Sequence, residues 1–259
     1  VRVKELTLLS KSLQILPEKY HGLKDTELRY RQRYVDLIVN PEVKNVFILR
    51  SQIIRKIREF LDNRGFIEVE TPVLYNLAGG ANARPFVTHH NALDIPLYMR
   101  IALELPLKRL IVGGFDKVYE LSRVFRNEGM DATHNPEFTL LETYEAYADY
   151  DDVMNMVEAL YGFLAKEILD TDTVEYEGHD ISLAAPFKRA RMVDLVEEHT
   201  GVNFDVMTDL AEAQEAAKKL HVDVEDKHSI GEIIAEVFDE YVEDKLIQPT
   251  FVTMHPVEI

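Results

Sequence analysis

Two short stretches hold the side chains best suited to chemistry. Arg126 and Glu128 stand two residues apart in VFRNEG, and Phe138, Leu140, Glu142 and Tyr144 follow at every second position of EFTLLETYEAY. In a strand, residues two apart share a face. One face is therefore expected to carry a guanidinium, two carboxylates, a phenol and a flat ring. Such a set suits a ligand with charges of both signs. Arg126 offers a planar fork for carboxylate or phosphate. Glu142 with Tyr144 offers an anionic end for an ammonium group, and Phe138 offers a stacking surface. His134 and Asn135 stand where they can reach a phosphate tail. The simpler reading of the same residues is a solvated hairpin with cross-strand ion pairs.

The elements that must position these groups follow from the pattern around them. Residues 118–128 and 138–147 alternate apolar and polar positions, and residues 129–136 are rich in turn formers. An antiparallel hairpin with a longish loop is predicted. Upstream, Asn40 and Pro41 read as the start of a long amphipathic helix that Gly65 closes. A short strand at residues 67–70, stopped by Thr71-Pro72, comes next. Residues 98–110 read as a strand running into a helix, with Glu104 near the helix start and Pro106 tolerable only in its first turn. The adjacent pair His89-His90 would face opposite ways in a strand and lacks the spacing of a zinc site. Downstream, helices are predicted over residues 149–169, 193–199, 210–220 and 229–246, with Ser229 and Glu232 as a capping box. A hairpin turning at Glu177-Gly178-His179 and a short strand over residues 251–254 complete the pattern. Residues 1–9 alternate and are expected to form one strand, and residues 27–37 form a basic helical segment containing Arg29, Arg31 and Arg33.

Composition limits the function classes. The 259 residues are 46% hydrophobic, contain no cysteine, and carry a net charge of −17. Disulfides and thiolate metal sites are excluded, no apolar run is long enough to span a bilayer, and a cytoplasmic location is the expectation. The charge is uneven. Residues 1–150 hold 21 basic against 20 acidic side chains, and residues 151–259 hold 8 against 26. The second part should repel a phosphate backbone, so any nucleic-acid contact falls to the first part or to other sequence.

The wording of these stretches narrows the reading. RNEGMDATHNPEFTLLETYEAYADY resembles the second signature motif (about 118–147) of the class II aminoacyl-tRNA synthetases, in its lysyl version. GFIEVETPVL, which contains Phe66 and Pro72, resembles their first motif (about 41–72), and GGANARPFVTHHNALD a loop of the lysyl branch. The resemblance implies an α+β class II catalytic fold, an antiparallel sheet flanked by helices, over residues 26–259. It implies that residues 1–25 are the remnant and linker of an OB-fold anticodon-binding domain. It also implies that the third motif, the magnesium ligands and a further lysine-binding carboxylate lie beyond Ile259.

The implied activity is ATP-dependent formation of lysyl-adenylate and transfer to tRNA(Lys) by a homodimer, with Mg2+ bound outside this chain and the piece itself inactive or impaired. The implied roles are Arg126 between the lysine carboxylate and the α-phosphate, and Glu128, His134, Asn135 and Phe138 on ATP. Gly80 and Glu104 would meet the α-amino group, and Glu142 and Tyr144 the ε-ammonium. The first motif, through Phe66 and Pro72, would form the dimer interface. The chain departs from the family pattern at Leu103 and Pro106, where proline and an aromatic or histidine are usual. Three other readings stay open: a class II enzyme of different amino-acid specificity, a paralogue that lysylates protein, and a non-catalytic dimerisation or binding module.

Overall fold

The computed structural model describes residues 2–17, 23–131, 133–224 and 228–259. Its internal contacts divide the chain into two units, Val1–Lys56 and Ile57–Ile259.

In the first unit residues 2–16 form no regular element, and Val3, Leu6, Leu8 and Leu9 are exposed. The strand expected there is not formed. The described residues provide no neighbouring ladder for it, and a lone strand leaves its backbone groups unpaired. The basic segment makes two helices, α1 (Thr26–Arg31) and α2 (Arg33–Val39), which break at Gln32. Asp36, which is fully buried, ties the two together. Arg29 donates to it at 2.8 Å, Arg33 also pairs with it, and the Asn40 amide donates at 2.7 Å. Asn40 therefore closes α2, and does not cap the long helix as expected. That helix, α3 (Val43–Asp62), starts three residues later.

The second unit takes in the end of α3. Gly65, with φ +79°, terminates it as predicted, and the Phe66 N–H returns to the Leu61 carbonyl at 3.1 Å. The chain continues through β1 (Ile67–Glu68), β2 (Leu74–Tyr75), β3 (Val87–His90), β4 (Ile95–Met99), α4 (Glu104–Val112), β5 (Lys117–Phe125), β6 (Glu137–Glu145) and α5 (Tyr150–Leu164). The predicted hairpin is β5–β6, antiparallel from Lys117↔Glu145 to Phe125↔Glu137, with β1 added in parallel on the outer edge of β5. β2, β4 and β3 form a smaller antiparallel sheet.

Both faces of the hairpin are covered. Val118, Val124, Phe138, Leu140 and Tyr144 pack against Leu103, Leu107, Leu110 and Ile111 at and within α4. On the opposite face Tyr119 and Leu141 meet Phe60, Leu61 and Phe66 together with Met156, Leu160 and Phe163 of α5. The alternation of β5 and β6 therefore encodes two apolar layers. The face expected to carry a guanidinium, two carboxylates, a phenol and a ring is apolar at both ends and carries Glu120 and Glu142 between them.

After α5 come the hairpin β7 (Thr173–Tyr176) and β8 (His179–Ser182), turning at Glu177-Gly178 with both residues at positive φ. β9 (Lys188–Arg191), α6 (Met192–Thr200), α7 (Leu210–Lys219), α8 (Ile230–Tyr241) and β10 (Thr250–Thr253) follow. The three helices share a core that includes Leu195, Val196, Phe204, Ala213, Ala217, Ile233 and Val237. Ser229 and Glu232 form the predicted capping box of α8. β10 returns to pair in parallel with β9, Thr250 opposite Lys188. The whole is the expected α+β architecture. Among the described residues no helix is long and apolar enough to cross a membrane.

Candidate active site

The β5–β6 loop encloses an open cleft of about 570 Å³ lined by Arg126, Glu128, His134, Asn135 and Phe138, with Met130 and Asp131 among its other walls. All five residues assigned to ATP thus meet, though not by the expected route. β5 ends at Phe125, so Arg126 and Glu128 do not share a strand face. The Arg126 N–H extends the ladder by one bond, to the Pro136 carbonyl at 2.8 Å. The chain then turns, and the Glu128 N–H donates to the Arg126 carbonyl at 3.0 Å. Glu128 is held by the Arg84 N–H at 3.3 Å, and the Asn127 N–H donates to the Arg84 carbonyl at 2.7 Å. The Arg126 guanidinium lies 5.1 Å from the Phe138 ring centroid, and its Nε donates to the Ile101 carbonyl at 3.3 Å.

Asp131 organises the far side of the loop. Its Oδ1 accepts the Thr133 N–H at 2.8 Å and the His134 N–H at 2.7 Å, and Oδ2 lies 2.8 Å from His134 Nδ1. These bonds hold its carboxyl well below the usual carboxylate range, the Thr133 N–H being the largest cause. Asn135 turns its own oxygen toward the Glu137 N–H at 3.4 Å.

The residues assigned to lysine gather at the start of α4. Glu142 Oε1 accepts the Leu103 N–H at 2.9 Å, and Oε2 accepts the Tyr144 hydroxyl at 3.1 Å. Desolvation, with the charges of Glu142 and Glu104, keeps the Tyr144 phenol protonated far above its ordinary range. Glu104 is the first residue of α4, and Lys108 one turn on donates to it at 2.5 Å. Gly80, with φ +90°, presses on the same turn: a Cβ there would lie 3.2 Å from Ala102 Cβ and 3.4 Å from Glu104 Cβ. Pro106 is the third residue of α4. The first intrahelical bond, from the Leu107 N–H to the Leu103 carbonyl at 3.3 Å, comes after it, so the ring costs the helix no bond. The departures from the family pattern at Leu103 and Pro106 thus leave the helix start regular.

Sequence reasoning missed the support beneath both clusters. Arg100 and Glu120 form a buried ion pair at 2.7 Å, 5% and 2% exposed. Arg100 also donates to the Arg123 carbonyl at 2.8 Å, the Thr71 carbonyl at 3.1 Å and Ser122 Oγ at 2.7 Å. Glu120 accepts the Thr71 hydroxyl at 2.7 Å and the Ser122 hydroxyl at 2.6 Å. The signal lies in the strand register and not in the residue types: Glu120 stands opposite Glu142 on one face, and two facing carboxylates require a nearby cation. Phe66 points into the core of its own chain, 5% exposed beside Phe60, Leu61 and Tyr119, and Pro72 is exposed. His90 Nδ1 accepts the Leu93 N–H and His89 faces Asp94. Among the described residues no three acidic or histidine side chains are grouped to hold a metal ion.

The model of the family described as tRNA synthetases class II (D, K and N) matches residues 25–259. The chain is 62% identical over its whole length to a lysine–tRNA ligase of Thermoanaerobacter sp. (strain X514) and 56% identical to that of Bacillus subtilis (strain 168). It is likewise 56% identical to that of Halalkalibacterium halodurans. In each case the match covers 52% of the relative, so the chain spans about half the length of the curated relatives it matches. With the hairpin, its loop cleft and the carboxylate cluster at α4 in the arrangement described above, the chain belongs to the class II tRNA synthetases of the D, K and N group.

Proposed function

We propose that the protein carrying this chain activates L-lysine with ATP and passes the lysyl group to tRNA(Lys). The observation that carries this reading is the segment Ile101–Leu103. At one end its carbonyl holds Arg126, and at the other its N–H holds Glu142. A cation and an anion are thereby fixed at the two ends of one short stretch, as an amino acid with a carboxylate and a distant ammonium requires. The relatives' shared name, lysine–tRNA ligase, supports lysine as that amino acid.

In the first step a lysine carboxylate oxygen bonds to the α-phosphorus as the bond from that phosphorus to the bridging oxygen breaks. Pyrophosphate leaves with the electron pair. Such a displacement needs positioning and charge stabilisation more than proton transfer. Arg126 stabilises the negative charge shared by the carboxylate and α-phosphate. Phe138 gives the adenine a surface, Glu128 accepts from its amino group, and His134 and Asn135 hold the phosphate tail. Gly80 lets the backbone approach the α-amino group next to Glu104. Glu142, fixed by Leu103 and Tyr144, takes the ε-ammonium and rejects analogues without one, because an unpaired carboxylate is costly.

Mg2+ is expected on ligands outside these residues. The active form proposed is a cytoplasmic homodimer built through the first motif, with residues 1–25 leading from an anticodon-binding domain. The test is lysine-dependent ATP–pyrophosphate exchange by this chain and by the protein at the length of its relatives. Exchange by the longer form supports the reading. No exchange by either form with any amino acid overturns it in favour of a non-catalytic module.

A further inference from the structure

We propose that the buried Arg100–Glu120 pair is a positioning device for the amino-acid end of the site, an inference that rests on the lysine reading above. Among the described residues, the side-chain hydrogen bonds of its members go to Thr71, Ser122, the Arg123 carbonyl and each other, and not to a residue assigned to substrate. They act through the backbone that links β4 to α4. Arg100 is the first residue of that link and is fixed on every side: its N–H donates to the Val73 carbonyl at 2.9 Å, and its carbonyl accepts the Phe125 N–H at 2.9 Å. Its guanidinium spans Glu120, Ser122, the Arg123 carbonyl and the Thr71 carbonyl. The next residue presents the carbonyl that receives Arg126, and the residue two further on presents the N–H that receives Glu142. Ala102, between them, is the surface against which Gly80 stops. A displacement of Arg100 would therefore reach three substrate-binding groups at once.

The network is closed as well as buried. Glu120 Oε2 accepts the Thr71 N–H at 3.2 Å and its hydroxyl at 2.7 Å, and Oε1 accepts Arg100 and Ser122. A buried pair is weak evidence for stability, because apolar residues of like volume often serve as well. Its bonds here run to β5, to the link and to the turn after β1, so it fixes how those segments register. It also answers a local charge problem. Glu120 stands directly opposite Glu142 across the ladder. With Arg100 on Glu120, the positive charge of an incoming ammonium is left for Glu142.

The experiment compares Arg100→Lys, Glu120→Gln and the milder Ser122→Ala with wild type at the length of its relatives. Lysine and ATP are titrated separately by calorimetry, and folding is checked by thermal melting. Arg100→Lys keeps the charge and loses the fork. The lysine Kd is expected to rise about tenfold or more in Arg100→Lys and in Glu120→Gln, and a few-fold in Ser122→Ala. The ATP Kd should stay within about twofold, because Arg126 keeps its backbone bond to Pro136 and its contact with Phe138. If Arg100→Lys does not fold, Ser122→Ala alone decides. Folded variants with wild-type lysine affinity, or with lysine and ATP affinities falling by the same factor, overturn the inference. Failure of the wild type itself to bind lysine overturns the lysine reading and this inference together.

Discussion

Replacing Glu142 by glutamine isolates charge from shape. The amide oxygen can still accept the Leu103 N–H, and the amide nitrogen can still meet the Tyr144 hydroxyl, so both bonds that orient the side chain have counterparts in the variant. What is lost is the negative charge offered to an ammonium group. Two unit charges about 4 Å apart at an effective dielectric constant near 20 attract by roughly 4 kcal/mol. Glu142 is only partly buried, so the smaller figure for a hydrogen bond to a charged group applies, about 1.5–3 kcal/mol. That is roughly a 10- to 150-fold weaker lysine Kd. The assay is calorimetric titration of lysine, with lysine KM in pyrophosphate exchange as a second reading. ATP affinity should be unchanged, because the Glu142 carboxylate lies outside the cleft formed by the hairpin loop. A lysine Kd within about threefold of wild type would falsify the assignment of Glu142 to the ammonium group.

Three further predictions follow from the same geometry. Gly80→Ala forces a methyl to within 3.2 Å of Ala102 Cβ at φ +90°; strain of about 1–3 kcal/mol should weaken lysine binding roughly tenfold and lower the melting temperature by a few degrees, and unaltered lysine affinity would show that the loop yields freely. Asp131→Ala removes the acceptor that orients His134 and two backbone N–H groups; ATP Kd should rise about fivefold with lysine Kd unaffected, and equal losses for both ligands would contradict a role confined to the loop. The Asp36 carboxyl is lowered below its ordinary value of 3.8, chiefly by the Asn40 amide; its stabilisation of α1 and α2 is fully present above the ordinary value and is lost as the pH falls from there through the lowered one, so the hydrogen-exchange protection of residues 26–39, corrected for the intrinsic rate, should fall in acid, and Asp36→Asn should abolish that loss.

Much of the fold could be read from periodicity because the periodicity reflects packing. The β5–β6 hairpin alternates because each face meets its own helix, and Gly65 and Ser229 end and begin helices by local bonding that needs no tertiary context. Failures came where bonding partners that periodicity does not name decided. Residues 1–9 alternate as a strand would, yet no strand forms among those described. Asn40 has the chemistry of a helix cap, but a buried Asp36 recruits it first. At the site, residue types identified the ligands' ends, and the resemblance to the family assigned them. The support was not legible because Arg100 and Glu120 are 20 positions apart, and only the strand register reveals that Glu120 faces Glu142. Arg126 and Glu128 reached one cleft through a turn that alternation cannot foresee.

The parallel pairing of β9 with β10 has a consequence in time. Lys188 is made about 60 residues before its ladder partner Thr250. At roughly 5–20 residues per second of synthesis, β9 waits about 3–12 s for that neighbour. In the interval α6, α7 and α8 can collapse on their own apolar residues, a process faster by several orders of magnitude. The late strand then docks onto a nearly finished body. Parallel neighbours need a crossover of only a dozen or so residues, so this stretch is several times longer than connectivity demands.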